Sequence, residues 1–275
     1  MKSQLVITIA PTGPIASTKD NPGLPTQPEE IALAAAKAYE AGAAVVHVHL
    51  RDENERPTAD LKIAERTIGL IAEQSPILIQ LSTGVGLDTP FEDREKLVEL
   101  KPQMATLNPC SMSFGAGEFR NPPADVRRLA SRMQELGVKA ELEIYDMGHI
   151  PVCFSLLEEG LLSEPLQFSI VMGVKGGMAA TVDNLHFAVR QLPPSAVWQA
   201  IVIGRPHFEL TTVAMALGGN ARTGMEDTLY LRKGELAPNN ESLVLRLAGA
   251  AKALEKTIAT IEEAKLEFSL GADPH

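Results

Sequence analysis

Short β-branched runs alternate along the chain with longer segments rich in alanine and leucine. The runs predict strands at 5–10, 44–50, 77–82, 104–108, 140–145, 166–172, 197–204 and 219–224. Between them, apolar positions recurring at three and four predict helices over 28–40, 59–72, 92–100, 123–136, 152–159, 182–191 and 208–217. A last helical segment is expected over 241–265. Gly42 and Gly137 stand where helices should stop, and Asn121-Pro122-Pro123 opens one. Proline suits a first helical position because the N–H it lacks has no partner there.

Eight strand–helix units in 275 residues fit a (β/α)8 TIM barrel of the α/β class, as a single domain over 1–275 with a C-terminal helical segment. A doubly wound open sheet is the alternative. It is disfavoured because Ala10-Pro11-Thr12-Gly13-Pro14, after the first strand, lacks the glycine pattern of a dinucleotide or phosphate loop.

Composition narrows the chemistry. A chain that is 45% hydrophobic can bury a sizeable core. The formal net charge of -10 argues against a nucleic-acid partner, which needs a basic face. Cys110 and Cys153 form neither a CxxC pair nor a disulfide framework, so a reducing compartment with both thiols buried is expected. The opening MKSQLVITIAPTGP holds one lysine and a short apolar run that soon meets Pro11, which reads as a strand and not as a secretory leader. No apolar run approaches the roughly 20 residues of a membrane span. A cytoplasmic protein without a membrane partner is the expectation.

Barrel enzymes build their sites at the carboxyl ends of the strands. Here those ends are polar almost throughout. Strand two carries His47, His49 and Arg51; strand three ends in Gln80, Ser82, Thr83 and Gly84; strand four ends in Thr106 and Asn108. Strand five carries Glu141, Glu143 and Tyr145, and strand eight leads into Arg222, Glu226 and Asp227.

Residues two apart on a strand face the same side, so His47 and His49 aim together at one point. Two converging imidazoles suit a divalent metal, and Glu226 is the best third ligand. A His2Glu set with an open position is a catalytic zinc pattern. The bland alternative is one hydrogen-bonded core histidine and one rim histidine. Beside Glu226, Asp227 can move protons while Arg222 holds it ionised or binds an anionic substrate. Ser82, Thr83, Thr106 and Asn108 offer donors suited to a carboxylate, although each residue type also caps strand ends. The turn 173–178, with Gly176-Gly177, is either a phosphate cradle or a plain loop. No nucleophile elbow supports acyl-serine chemistry.

These residues carry a resemblance over essentially the whole chain. Thr12-Gly13, His47-Val48-His49-Leu50-Arg51, Gln80-Leu81-Ser82-Thr83-Gly84, the run 101–108, Gly204-Arg205 with His207, and Gly219-Asn220 with Arg222, Gly224 and Glu226-Asp227 resemble the β-keto acid cleavage enzymes. The resemblance implies a (β/α)8 barrel with zinc on His47, His49 and Glu226, and a homotetramer. It implies that a β-keto acid and acetyl-CoA are exchanged for acetoacetate and a new acyl-CoA. In that scheme the Asp227–Arg222 pair handles deprotonation and Ser82 and Thr106 orient the substrate carboxylate, with Thr83, Gly84, Asn108 and Glu143 around the substrate.

One departure concerns the substrate. Members that take a 5-amino β-keto acid place a glutamate shortly after the Thr-Gly turn, to meet the ammonium group. Here Thr12-Gly13-Pro14-Ile15 puts Ile15 in that place. A buried ammonium facing isoleucine lacks its counter-charge, at a cost of several kcal/mol. A neutral or apolar β-keto acid is therefore expected. The rival reading is an amidohydrolase-type metal-dependent hydrolase, which also uses an HxH pair. That class needs it on strand one, with further histidines after strands five and six, where this chain offers His149 and then none. A metallated ligand-binding barrel is the non-enzymatic reading, and it leaves Arg222, Glu226 and Asp227 unexplained.

Overall fold

The computed structural model describes residues 3–271, so Met1, Lys2 and residues 272–275 of the expected domain lie outside the described residues. Eight parallel strands close a barrel in chain order: β1 (Ile7–Ile9), β2 (Val45–Val48), β3 (Leu78–Leu81), β4 (Met104–Leu107), β5 (Lys139–Ile144), β6 (Gln167–Met172), β7 (Val197–Val202) and β8 (Asn220–Thr223). The seam closes where Arg222 of β8 pairs with Thr8 of β1. Around the barrel run α1 (Pro28–Glu40), α2 (Leu61–Gln74), α3 (Phe91–Glu95) with a 3-10 turn over Lys96–Leu100, α4 (Pro123–Leu136), α5 (His149–Glu158), α6 (Val182–Val189) and α7 (His207–Ala216). Two more helices, α8 (Asn240–Ala253) and α9 (Ile261–Phe268), follow.

The register of β2 decides where the site forms. Val46, Val48 and Leu50 pack outward in one cluster with Ile31, Ala35 and Ala38 of α1. Each buried aliphatic side chain stabilises by about 1.5–3 kcal/mol. A slip of one residue would push the imidazoles under α1 and turn the valines inward. The outward packing therefore holds His47 and His49 on the barrel axis.

The expected helix over 241–265 is two helices. The chain turns after Ala253, with Glu255 at φ +56°, and Thr257–Ile258 pairs with Gln4–Leu5 beneath the barrel. Thr260 and Glu263 then form a capping box that starts α9. Leu243, Val244 and Leu247 of α8 face other partners than Ala264 and Phe268 of α9, which close the barrel floor against Val45, Leu78 and Met104. Two adjacent apolar stripes on different surfaces read as one continuous period in the sequence.

Two hairpins escaped the pattern, Met112–Phe114 with Gly117–Phe119 and Tyr230–Arg232 with Glu235–Leu236. Their strands are too short to show a period. Helix α5 starts at His149, three residues before the expected 152. Cys153 is buried, but Cys110 is only half-buried, against the expectation for both. No described helix is long and apolar enough to cross a membrane.

Candidate active site

The carboxyl ends of the strands open on a cavity of about 840 Å³. His47 lies wholly buried beside it, and its Nδ1 bonds the Gln80 side-chain oxygen at 2.8 Å, across a register that pairs the two residues. An amide oxygen only accepts, so Nδ1 carries the proton and Nε2 presents its lone pair. Burial, together with the Arg222 charge, pushes the His47 imidazole down to about 3, so it is neutral. Its Nε2 has no hydrogen-bond partner, and neither does Oε2 of Glu226, 3.6 Å away. His49 Nε2 stands 3.6 Å from Oε1 of the same carboxylate.

These spacings fit a metal. Tetrahedral zinc with bonds of about 2.0–2.1 Å sets its donors roughly 3.4 Å apart. His47, Glu141 and Glu143 make a second group of close donors. Burial raises both of those carboxyl groups, Glu143 to about 8, and Glu141 already accepts from Ser169 and Gln199. Protonated carboxyls are poor ligands. Burial also pushes Glu226 up, but Arg222 and the two imidazoles outweigh it and hold the group well below the usual carboxylate range. The His47, His49 and Glu226 set is the better site.

Backbone geometry at two glycines brings Glu226 there. Gly224 has φ +150°, and a Cβ on it would lie 1.9 Å from the Ala10 carbonyl oxygen. That close approach lets Glu226 N–H donate to the same oxygen, 3.2 Å away. Gly13 abuts the Glu226 side chain from the opposite loop. The Gly13 carbonyl in turn accepts from Nε of buried Arg51 at 2.9 Å, which gives the strand-two arginine an anchoring role.

Arg222 is wholly buried and serves two carboxylates. Its Nε and Nη2 donate to Asp227 at 3.1 and 2.9 Å, and Nη2 donates to Glu226 at 2.5 Å. Burial raises the Asp227 carboxyl against the pull of Arg222, so it is more basic than an exposed aspartate. Glu143 lies 4.0 Å from Nη1 of Arg222 and accepts from the Tyr145 hydroxyl at 3.4 Å.

Ser82 and Gly84 line the cavity. Thr83 and Thr106 are wholly buried and bond each other: Thr83 N–H donates to Thr106 Oγ1 at 2.9 Å, and Thr83 Oγ1 donates to the Thr106 carbonyl at 2.8 Å. They tie the ends of β3 and β4 together. Asn108 is 3% exposed, and both polar atoms of its amide lack a hydrogen-bond partner. Ile15 lines the cavity but is 76% exposed. Its exposure reduces the penalty for a missing counter-charge to that of a surface pair, about 1 kcal/mol or less.

Val171 and Ile201, at the ends of β6 and β7, make one wall apolar together with Val174, Ile203 and Phe114. Gly176 is packed against the Ser113 carbonyl, and the Gly177 and Met178 amides are spent on Val174 and Tyr145. Gly176 and Gly177 thus let the turn pack against the 112–119 hairpin and Tyr145, while Gly173 abuts the Ile203 carbonyl. His149 sits outside the metal set, its Nδ1 accepting from Tyr145 N–H at 3.3 Å. Among the described residues, His149 therefore does not serve as the strand-five ligand that a hydrolase reading needs. Sequence reasoning did not assign Gln80, whose signal was a polar residue on the inward face of an apolar strand. It also did not assign Phe114 and Phe119, which lie on a hairpin with no periodic signal.

A family model described as beta-keto acid cleavage enzyme matches residues 4–270. The chain is 36% identical over 272 residues to the 3-keto-5-aminohexanoate cleavage enzyme of Fusobacterium nucleatum, covering 98% of this chain and 99% of that one. It is 33% identical over 274 residues to the 3-oxoadipate:acetyl-CoA acetyltransferase of Cupriavidus necator, covering 98% and 96%. Among solved structures, ObcA in complex with oxaloacetate superposes with a TM-score of 0.78 at 21% identity, over 91% of this chain and 68% of that one. That last likeness is one of fold.

Proposed function

This chain belongs to the β-keto acid cleavage enzyme family, and from that membership we propose that it exchanges a β-keto acid and acetyl-CoA for acetoacetate and a new acyl-CoA, with zinc on His47, His49 and Glu226. The observation that carries the metal reading is the convergence of three donors of which two, His47 Nε2 and Glu226 Oε2, are buried and otherwise unpartnered. Zinc, when bound, supplies a Lewis acid for the substrate ketone.

The chain's own groups account for the proton and for orientation. Asp227, made more basic by burial, takes the proton from the carbon between ketone and carboxylate, and Arg222 steadies its charge. The resulting carbanion attacks the acetyl thioester. The CoA thiolate released adds to the original ketone, the old carbon–carbon bond breaks, and Asp227 returns the proton to acetoacetate. In this reading Ser82 orients the substrate carboxylate with Gly84 and Asn108 around it, which the lining of the cavity by Ser82 and Gly84 supports, while the Thr106 hydroxyl is engaged by Thr83. No covalent enzyme intermediate is needed.

The apolar wall of Val171, Ile201 and Val174 supports a neutral or apolar substrate tail more strongly than Ile15 does, because it is the more buried feature. The two relatives are named for an aminated and a dicarboxylic substrate, so the family's chemistry tolerates different tails. A panel of β-keto acids with acetyl-CoA, scored for acetoacetate in zinc-loaded protein, tests the function. Acetoacetate from an aliphatic substrate is the expected result; turnover without CoA would mark a hydrolase instead. The same reading includes a cytoplasmic homotetramer, for which light scattering is the check of assembly.

A further inference from the structure

Arg94, on α3, is a buried cation that makes no ion pair with the described residues, Glu143 and Asp125 acting on it only from beyond contact. It is 3% exposed, and its nitrogens meet neutral acceptors. Nε donates to the Thr83 carbonyl at 2.6 Å, Nη1 to the Arg120 carbonyl at 2.9 Å and Nη2 to the Asn121 side-chain oxygen at 2.7 Å. The rings of Phe91 and Phe119 flank the guanidinium carbon at 4.9 and 4.7 Å. Among the described residues it makes no ion pair, whereas the exposed Arg127, Arg128 and Arg132 each hold a carboxylate. Taking a guanidinium out of water is costly, and neutral acceptors with ring faces offset only part of that cost. Such an arrangement suits a place where an anion arrives later.

The hydrogen bond to Thr83 shows where. The peptide unit whose oxygen accepts from Arg94 carries the Gly84 N–H on its other side. A cation on the oxygen polarises that peptide and strengthens its N–H as a donor. At present this N–H turns back on Ser82 Oγ at 3.2 Å, so the two groups point at one another. Asn108 Nδ2, buried and unpartnered, stands 3.7 Å from where a Cβ on Gly84 would lie, and the Phe119 ring stands 3.4 Å from the same point. One ring and one peptide therefore separate the guanidinium from the cavity.

Resting on the β-keto acid reading above, we propose that Arg94 is a positioning residue for the substrate carboxylate, setting the charge preference of the Ser82–Gly84 turn without touching the substrate. It does so through the Thr83–Gly84 peptide and through a charge that no carboxylate pairs directly. It also ties the turn to the 112–119 hairpin through Arg120 and Asn121.

The test compares a charged and an uncharged ligand of the same shape, acetoacetate and acetoacetamide, binding to zinc-loaded full-length protein by calorimetry. Wild type should prefer the acid. Arg94→Met should weaken acetoacetate by about tenfold to a hundredfold, the worth of hydrogen bonds to a charged group, and leave acetoacetamide unchanged. Arg94→Lys keeps the cation and should keep most of the preference, despite losing part of the hydrogen-bond fork. Equal weakening of both ligands in Arg94→Met, or a lysine variant as indifferent as the methionine one, would overturn the proposal. If Arg94→Met does not fold, the lysine variant alone decides, because loss of its acid preference sinks the idea and retention supports it. The binding readout needs no turnover. Wild type that prefers acetoacetate but makes no acyl-CoA from any β-keto acid would refute the cleavage reaction, and Arg94 would still be judged by the same ratio.

Discussion

Gly13 and Glu226 touch across the mouth of the barrel, so closely that a methyl group on Gly13 would lie 2.5 Å from Cγ of the glutamate. The loop after β1 thus backs a side chain that arrives from the far end of the chain. We expect Gly13→Ala to displace the Glu226 carboxylate from the two imidazoles and cut zinc affinity about tenfold to a hundredfold, the usual cost of losing support behind a ligand. His49→Ala, which removes a donor outright, is the reference for complete loss of metal and turnover together. Metal content after dialysis against a graded chelator is the measurement, and an alanine variant that holds zinc like wild type would refute the contact's role.

Asp227→Asn should separate chemistry from metal binding. The amide cannot take a proton, so kcat should fall by about a hundredfold to ten-thousandfold while zinc content stays near that of wild type. Arg222 keeps Glu226 as a charged partner in this variant. Loss of zinc in proportion to activity would assign Asp227 to holding the metal site and not to the proton.

Glu143 gives metal-free protein a pH-dependent stability. Burial and the neighbouring Glu141 push its carboxyl up to about 8, from an ordinary value of 4.5. Between those limits the unfolded chain has released a proton that the folded state still holds. Stability should therefore fall as pH rises from about 5 to about 8 and level off above. Glu141 and Asp227, raised by burial as well, act in the same direction. Glu143→Gln should show a shallower decline of thermal midpoint across that range. Parallel curves for the two proteins would mean that Glu143 ionises normally in the fold.

Ile15→Glu should admit an aminated substrate only modestly. The position is 76% exposed, where a new ion pair is worth about 1 kcal/mol or less, or roughly fivefold in kcat/KM. Turnover of a 5-amino β-keto acid against its aliphatic counterpart gives the ratio. A gain of several hundredfold would show that the bound substrate closes the rim and buries this position.

Much of the architecture is local and was legible for that reason. The β-branched runs and helix periods are properties of consecutive residues, and all eight barrel strands overlap the runs that predict them. The facing of His47 with His49 follows from a period of two and an apolar opposite face. The break between α8 and α9 was hidden because two stripes on different surfaces happened to run in phase.

Side-chain partners across the barrel are another matter. Thr106 at a strand end has two options, the cavity or a neighbouring strand, and the pairing of β3 with β4 brings Thr83 close enough to engage it. Ile15 reads as part of a buried subsite until the loop's course exposes it. The sequence alone determined an eightfold α/β alternation, an inward histidine pair and a carboxylate–arginine cluster after the last strand. That Glu226 meets those histidines and that Gly13 backs it were decided only when the seam between β8 and β1 closed, and that Arg94 lies without an ion pair behind the Thr83 carbonyl only when α3 packed on the end of β3. Chain connectivity carries no information about such distances, because they depend on which surfaces the packed core brings face to face.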